Sequence, residues 1–296
     1  MTGARREGAA DDRYPSPRAL LEKYGLRAKK SWGQNFLGDE AILDHIARLA
    51  VEAAGERIVE LGAGLGHLTA RLAALGADVV AVERDRDMAE VLRAELGGRA
   101  ALLEADAARL DYARLAREWP GRVSEGGKLA VVGNLPYHLT SPILFSLLDQ
   151  PVTVSRAVFL LQREVAERLA AEPGTKEWGL LSVLLQHRAD VSVELRVPRG
   201  AFLPPPKVES AVLRVAFRAP RAAVVDEARF RRLVKAGFAQ RRKVLANALA
   251  AVGEPGRVQA ALAAAGVDPR RRGETLTVEE WAAVERGMGS DGGAGG

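Results

Sequence analysis

Gly133-Asn134-Leu135-Pro136-Tyr137 places a carboxamide, a backbone carbonyl, a rigid proline and an aromatic ring within five residues. Asn134 offers a carbonyl oxygen acceptor and amide donors. Tyr137 offers a flat face on which a base can stack. Together they suit a planar substrate with an exocyclic amine, such as adenine. An ordinary Asn-Pro-type turn is the competing reading. The apolar run Leu129-Ala130-Val131-Val132 before it predicts a short buried strand. Ser141-Pro142 after it predicts a serine cap and a first-turn proline opening a helix to about Leu148. The motif therefore falls at the carboxyl end of a strand, the edge where open α/β sheets bind ligands.

A second chemistry-bearing stretch is Gly62-Ala63-Gly64-Leu65-Gly66, between the strand pattern Arg57–Leu61 and a helix pattern His67–Leu75. Strand, glycine loop and helix start form a nucleotide-binding arrangement, because glycines let backbone approach a ligand and the first helical amides are free. The spacing is G-x-G-x-G, preceded by Glu60. It is neither the dinucleotide fingerprint G-x-G-x-x-G nor a phosphate-clamping P-loop, since no Lys-Ser/Thr follows. The next strand, Asp78–Val82, ends at Glu83, where an acidic side chain can accept from ribose hydroxyls. The alternative is a surface glutamate in the charged turn Glu83-Arg84-Asp85-Arg86-Asp87. Asp106 stands just past a third strand, Ala100–Glu104. It could accept from the amine of a bound adenine or simply cap Ala107-Ala108-Arg109.

These residues need a scaffold. The chain has 296 residues, 48% hydrophobic, enough for one large domain or two modest ones. It has no cysteine, which excludes disulfides, thiolate nucleophiles and zinc–cysteine sites. Its four histidines, His45, His67, His138 and His187, lack metal-ligand spacing, so no metal is expected. The start has no secretory pattern, and no apolar run approaches a membrane span of ~20 residues. A cytoplasmic monomer is expected. Net charge is +5, concentrated in Arg27-Ala28-Lys29-Lys30, Arg231-Arg232, Arg241-Arg242-Lys243 and Arg270-Arg271-Arg272. Several such clusters invite a polyanion. High Ala, Arg and Gly content discounts part of that signal.

Residues 1–16 are polar and predicted disordered. Pro17–Tyr24 predicts a short helix. Lys29–Leu37 joins charge, aromatics and a glycine hinge ahead of a helix from Asp39 to Ala54, and reads as an arm packed on a sheet or as a lid. Further strands are expected at Arg156–Leu161, through Val191, Val193 and Leu195, and at Val212–Phe217, with helices at Arg163–Ala171 and Leu180–His187. The stiff stretch Gly200–Val208, with three consecutive prolines, delivers Phe202. The fold class is α/β, a seven-stranded doubly wound sheet over 17–218 with the last strands antiparallel. A small all-helical domain follows over 219–286, with helices at Glu227–Phe238, Lys243–Ala251, Arg257–Ala265 and Val278–Arg286. Thr277 and Glu280 form a capping box for the last. Residues 287–296 read as a flexible tail.

Taken together, the chain resembles the ribosomal RNA adenine dimethyltransferase family over roughly residues 27–286. The resemblance rests on Gly33-Gln34-Asn35-Phe36-Leu37, Glu60-Leu61-Gly62-Ala63-Gly64-Leu65-Gly66-His67-Leu68-Thr69, Asn134-Leu135-Pro136-Tyr137 and Phe202-Leu203-Pro204-Pro205-Pro206-Lys207-Val208, in that order. Ala63 stands where the family often has proline. The glycine loop is shared with many methyltransferases, whereas the ordered combination is specific. The resemblance implies a Rossmann-like methyltransferase sheet using S-adenosyl-L-methionine. It implies transfer of methyl groups to the exocyclic amines of two adjacent adenines near the 3′ end of 16S rRNA in the small ribosomal subunit. It implies cofactor contacts at Asn35, Leu37, Gly62, Glu83, Asp106 and Asn134. The target adenine would be flipped out and held by Asn134 and the Leu135 carbonyl, with Tyr137 on one face and Phe202 near the other. The C-terminal helices and arginine clusters would grip rRNA.

Three rivals remain on sequence. One is the relative that methylates a large-subunit (23S) rRNA adenine; the triple proline and Arg241-Arg242-Lys243-Val244-Leu245 favour the small-subunit type. Another is a non-enzymatic RNA-binding assembly factor, which need not keep Asn134, Tyr137 and Glu83. The third is an NAD-dependent oxidoreductase, disfavoured by the glycine spacing.

Overall fold

The computed structural model describes residues 14–119, 128–136, 139–150, 153–240 and 242–289, with only the backbone of Lys30. Tyr137, His138, Arg241 and the ends expected to be disordered, 1–13 and 290–296, lie outside the described residues.

The strands are β1 (Phe36–Leu37), β2 (Arg57–Leu61), β3 (Asp78–Glu83), β4 (Ala101–Glu104), β5 (Leu129–Asn134), β6 (Val154–Gln162), β7 (Ala189–Val197), β8 (Phe202–Leu203) and β9 (Ser210–Phe217). Seven form one sheet in the order β4-β3-β2-β5-β6-β9-β7. β4, β3, β2, β5 and β6 run parallel. Only β9 is reversed, inserted between β6 and β7 and antiparallel to both. Among the described residues the last two strands of this sheet make only antiparallel pairings, as expected: the chain passes over the β9 slot to lay β7 at the edge, then returns. β1 and β8, unforeseen from sequence, pair as a separate two-stranded ribbon.

The helices are α1 (Pro17–Lys23), α2 (Glu40–Ala50), α3 (His67–Ala74), α4 (Arg86–Leu96), α5 (Tyr112–Arg117), α6 (Thr140–Asp149), α7 (Arg163–Leu169), α8 (Leu180–Arg188), α9 (Glu227–Ala239), α10 (Leu245–Leu249), α11 (Pro255–Ala264) and α12 (Val278–Gly287). Helices on both faces explain why β5 and β6 are near-continuous apolar runs rather than alternating ones. The apolar layer of Ile58, Val79, Ala130 and Val158 meets α2 and α3 on one face. Val59, Val80, Val131 and Phe159 face the other layer. None of the described helices is long and apolar enough to cross a membrane.

Three local expectations change. Ser141 does not cap α6: the helix begins one residue earlier, after Leu139, whose side chain makes no cap bond. Tyr14, Pro15 and Ser16 are not disordered. Ser16 caps α1 through the Ala19 amide, and the Tyr14 hydroxyl donates to the Leu65 carbonyl at 2.7 Å. Gly287 closes α12, and Met288 is buried, its carbonyl accepting from Arg257 Nε at 2.6 Å. The tail expected from 287 therefore starts no earlier than 289.

Candidate active site

The carboxyl ends of β2, β3 and β5 and the turn after β4 surround a cavity of about 330 Å³. Its walls include Gly62–Leu65, Glu83, Asp106 and Asn134–Pro136, and the arm residues Ser31–Leu37 roof it. Asn35, Leu37, Gly62, Glu83, Asp106, Asn134 and Leu135 thus meet in one place, as expected.

The loop between β2 and α3 has glycine at three left-handed positions, Gly62 (φ 70), Gly64 (φ 56) and Gly66 (φ 86). An L side chain is strained at each. A Cβ on Gly66 would also come within 2.6 Å of the Tyr14 hydroxyl and 2.9 Å of Leu92. Gly66 leads α3 without a side-chain cap, so the first-turn amides stay available. The loop is clasped from behind by residues the sequence reading missed. Tyr14 bonds Leu65 and stands edge-on to the His67 ring, and His67 Nε2 donates to the Pro15 carbonyl at 2.9 Å. Burial pushes the His67 imidazole down to about 4, against the Pro15 bond, so the ring is neutral at pH 7.

Glu83 is 8% exposed, so the surface-glutamate alternative fails. Its Oε2 accepts from the Gly64 amide at 2.8 Å, and Oε1 accepts from the Arg84 and Asp85 amides, each at 2.7 Å. Burial raises its pKa, opposed by those three amides. Asp106 makes the expected cap and also borders the cavity. Oδ1 caps the following 3₁₀ turn through the Ala108 amide at 3.0 Å, while the residue lines the cavity.

Glu60 received no role from sequence beyond its place before the glycines. It is 2% exposed and lines the cavity. The Thr69 hydroxyl donates to its Oε2 at 2.5 Å. Burial pushes its carboxyl up to about 8, with Thr69 pulling it down and Glu83 adding to the rise. An acidic residue closing a strand ahead of a glycine loop was the signal that could have found it.

Asn134 Nδ2 donates to the Asn35 carbonyl at 2.8 Å. The carboxamide is thereby oriented, with its nitrogen toward the arm and Oδ1 kept as an acceptor. The arm itself is latched to the turn after β3. Lys29 Nζ pairs with Asp85 and Asp87 at 2.7 Å, and Gln34 Nε2 donates to Asp85 at 2.8 Å. The arm is thus both packed segment and roof. Gly133 is required where β5 passes β2: a Cβ there would meet the Leu61 carbonyl at 2.5 Å.

Phe202 is not brought to the cavity. It is 6% exposed, pairs with Leu37 across the β1–β8 ribbon and joins the α2-side core. The ribbon turns its ring inward, so its expected place near the substrate is corrected to a support for Leu37. Tyr137 lies outside the described residues.

Several arginines expected to meet RNA are engaged within the protein. Arg231 pairs with Asp149, Arg270 with Asp268, and Arg271 with both Glu280 oxygens. Arg242, Lys243 and Arg272 remain exposed.

Residues 25–287 match the sequence profile of the family described as Ribosomal RNA adenine dimethylase. The chain belongs to that family. It is 72% identical over 282 residues to the Ribosomal RNA small subunit methyltransferase A of Anaeromyxobacter dehalogenans, covering 94% of this chain and 99% of that one. The crystal structure of the 23S rRNA methyltransferase ErmE superposes with a TM-score of 0.66 at 28% identity, covering 86% of this chain and 99% of that one. A dimethyladenosine transferase from Plasmodium falciparum shares the fold with a TM-score of 0.69 at 22% identity, over 84% and 95% of the two chains. Methyltransferases of this family use S-adenosylmethionine in general. The cavity fits it. Its volume is in the small-ligand range, and it holds two buried carboxyls, Glu60 and Glu83, with no ion pair to a Lys or Arg among the described residues. Such a pair suits a ligand carrying positive charge.

Proposed function

We propose that the chain methylates the exocyclic amines of two adjacent adenines near the 3′ end of 16S rRNA, giving dimethyladenosines during small-subunit assembly. The observation that carries this reading is the Asn134–Asn35 contact, 2.8 Å, which presents a carboxamide oxygen beside a cavity suited to an adenosyl cation. The 72% identity with a small-subunit enzyme favours that substrate over the 23S alternative, for which the solved relative is 28% identical.

Bound S-adenosylmethionine supplies an electrophilic methyl group on sulfur. The protein's part is to bind, orient and exclude water. Glu83 accepts from the ribose hydroxyls of the cofactor, and Asp106 from the amine of its adenine. The amides at the start of α3 and Gly62 let the ligand approach the backbone. The adenine amine of the substrate is a poor nucleophile because its lone pair is delocalised into the ring. Asn134 Oδ1 and the Leu135 carbonyl accept from its hydrogens and favour a tetrahedral nitrogen aimed at the methyl group. Tyr137 stacks on the extruded base. No strong base is required, since the methylated amine can release its proton to water. Positioning supplies most of the rate. Residues 219–286 form the RNA-gripping part, and the chain works as a cytoplasmic monomer.

The test is incubation of the protein with undermethylated 30S subunits and labelled methyl donor, followed by mapping of modified nucleotides. Label in the two adjacent adenines near the 3′ end is expected. Label elsewhere in 16S rRNA, or none, overturns the reading.

A further inference from the structure

The arm meets Asn134 at the Asn35 carbonyl, which accepts from Asn134 Nδ2 at 2.8 Å. That carbonyl lies between two fastened stretches. After it, Phe36 and Leu37 are buried and pair with β8. Before it, residues 29–34 close on themselves. The Lys29 carbonyl accepts from the Trp32 amide at 3.0 Å, and the Lys29 amide donates to Gln34 Oε1 at 2.9 Å. At Gly33 this turn passes over the Asn134 motif, where a Cβ would stand 3.9 Å from Pro136. Asp85 ties the turn to the sheet: its Oδ1 accepts from Lys29 Nζ at 2.7 Å and its Oδ2 from Gln34 Nε2 at 2.8 Å. Both ends of the Gln34 carboxamide are therefore spent on this latch. Asp85 itself is rigidly held. It is 2% exposed, its Oδ1 also caps α4 through the Asp87 amide at 3.2 Å, and its own amide donates to Glu83 Oε1 at 2.7 Å. It is not among the residues that line the cavity, so any effect on the reaction passes through the arm.

We propose that Asp85 is a positioning residue for methyl transfer: through Gln34 and Lys29 it sets the place of the Asn35 carbonyl, and through that carbonyl the direction of the Asn134 carboxamide oxygen. The inference rests on the reading of Asn134 Oδ1 as an acceptor for the substrate amine. An arm released at Asp85 stays joined at β1, so the roof remains while the Asn134 amide loses its fixed partner. The loss falls on the transfer step more than on RNA binding.

The test is single-turnover transfer to undermethylated 30S subunits at saturating labelled donor, with full-length Gln34→Met and Asp85→Asn. Gln34→Met leaves the Lys29–Asp85 pair in place and is the milder change. Asp85→Asn leaves one side-chain oxygen for Lys29, Gln34 and the Asp87 amide. Each should slow transfer by about tenfold or more, within the ~100-fold that a misplacement of about 1 Å can cost. Binding of 30S subunits in a filter assay should stay near wild type. The double variant should be no slower than Asp85→Asn. In an Asn134→Ala background, Gln34→Met should change the rate by less than about twofold, which a purely structural role would not produce. A wild-type rate in either variant that folds, as judged by its thermal melt, or an undiminished loss in the Asn134→Ala background, overturns the proposal alone. If Asp85→Asn does not fold, Gln34→Met decides by itself. A wild-type rate in Asn134→Ala overturns the reading of Asn134 beneath it.

Discussion

Asn134 owes its orientation to a carbonyl 99 residues earlier in the chain. Asn134→Ala should lower methyl transfer by at least about 100-fold, the scale of a lost positioning contact, while RNA binding stays near wild type. Single-turnover labelling and a filter-binding assay check the two halves. Glu60 and His67 pull stability in opposite directions with pH. The Glu60 carboxyl titrates at about 8 in the fold and 4.5 in the ordinary case. The folded state holds the extra proton between those values, so this contribution is present in acid and lost as pH rises through 8. Glu60→Gln keeps an acceptor for Thr69 and should raise the melting temperature at pH 9 by about 2 °C or more, with little change at pH 5. It should also weaken S-adenosylmethionine binding. His67 titrates at about 4 in the fold against 6.5 ordinarily. Its contribution is present above 6.5 and lost as pH falls toward 4. His67→Gln keeps a donor for Pro15, so its melts should fall less than wild type between pH 6.5 and 4. Glu83 and Asp106 were legible as strand-end acids. Glu60 was not singled out, because burial is a property of the packed sheet.

At the scale of elements, the glycine loop and the Asn134 motif are set by how closely backbones pass. Gly133→Ala forces a Cβ to within 2.5 Å of the Leu61 carbonyl and 3.0 Å of Leu135. It should cost about 1–3 kcal/mol in urea unfolding and should also slow methyl transfer, since Asn134 and Leu135 adjoin it. Stability equal to wild type counts against this close approach. Strand periodicity located every strand of the large sheet, most of them within two residues. The β1–β8 ribbon escaped notice because two residues per strand carry no period. Phe202 was misplaced for the same reason: without the ribbon, nothing in the sequence tells which way a ring after a glycine turn points.

For the whole molecule, composition suggested a separate helical unit after Pro220. The buried residues of α9 to α12 instead join the cluster that covers one sheet face, with Phe230, Trp281 and Trp178 in the same apolar group. Trp178 Nε1 donates to the Leu276 carbonyl at 3.1 Å, and buried Arg229 binds Glu285 at 2.5 Å. Ending the chain after Ala219 should therefore loosen the sheet domain as well as remove RNA contacts. Loss of near-UV circular dichroism and a shallow thermal transition are expected. A truncated protein with a cooperative wild-type melt would argue for independent domains.

The order of strands and helices, the glycine loop, the acids at strand ends and the Asn-Leu-Pro-Tyr stretch were determined by sequence alone, because each depends on short-range periodicity or on residue type at a turn. Tertiary structure alone decided which way the Asn134 amide faces, that Glu60 is a buried carboxyl, that Phe202 turns inward and that Lys29 and Gln34 reach Asp85. These depend on burial and on contacts between distant segments, and no local pattern encodes either.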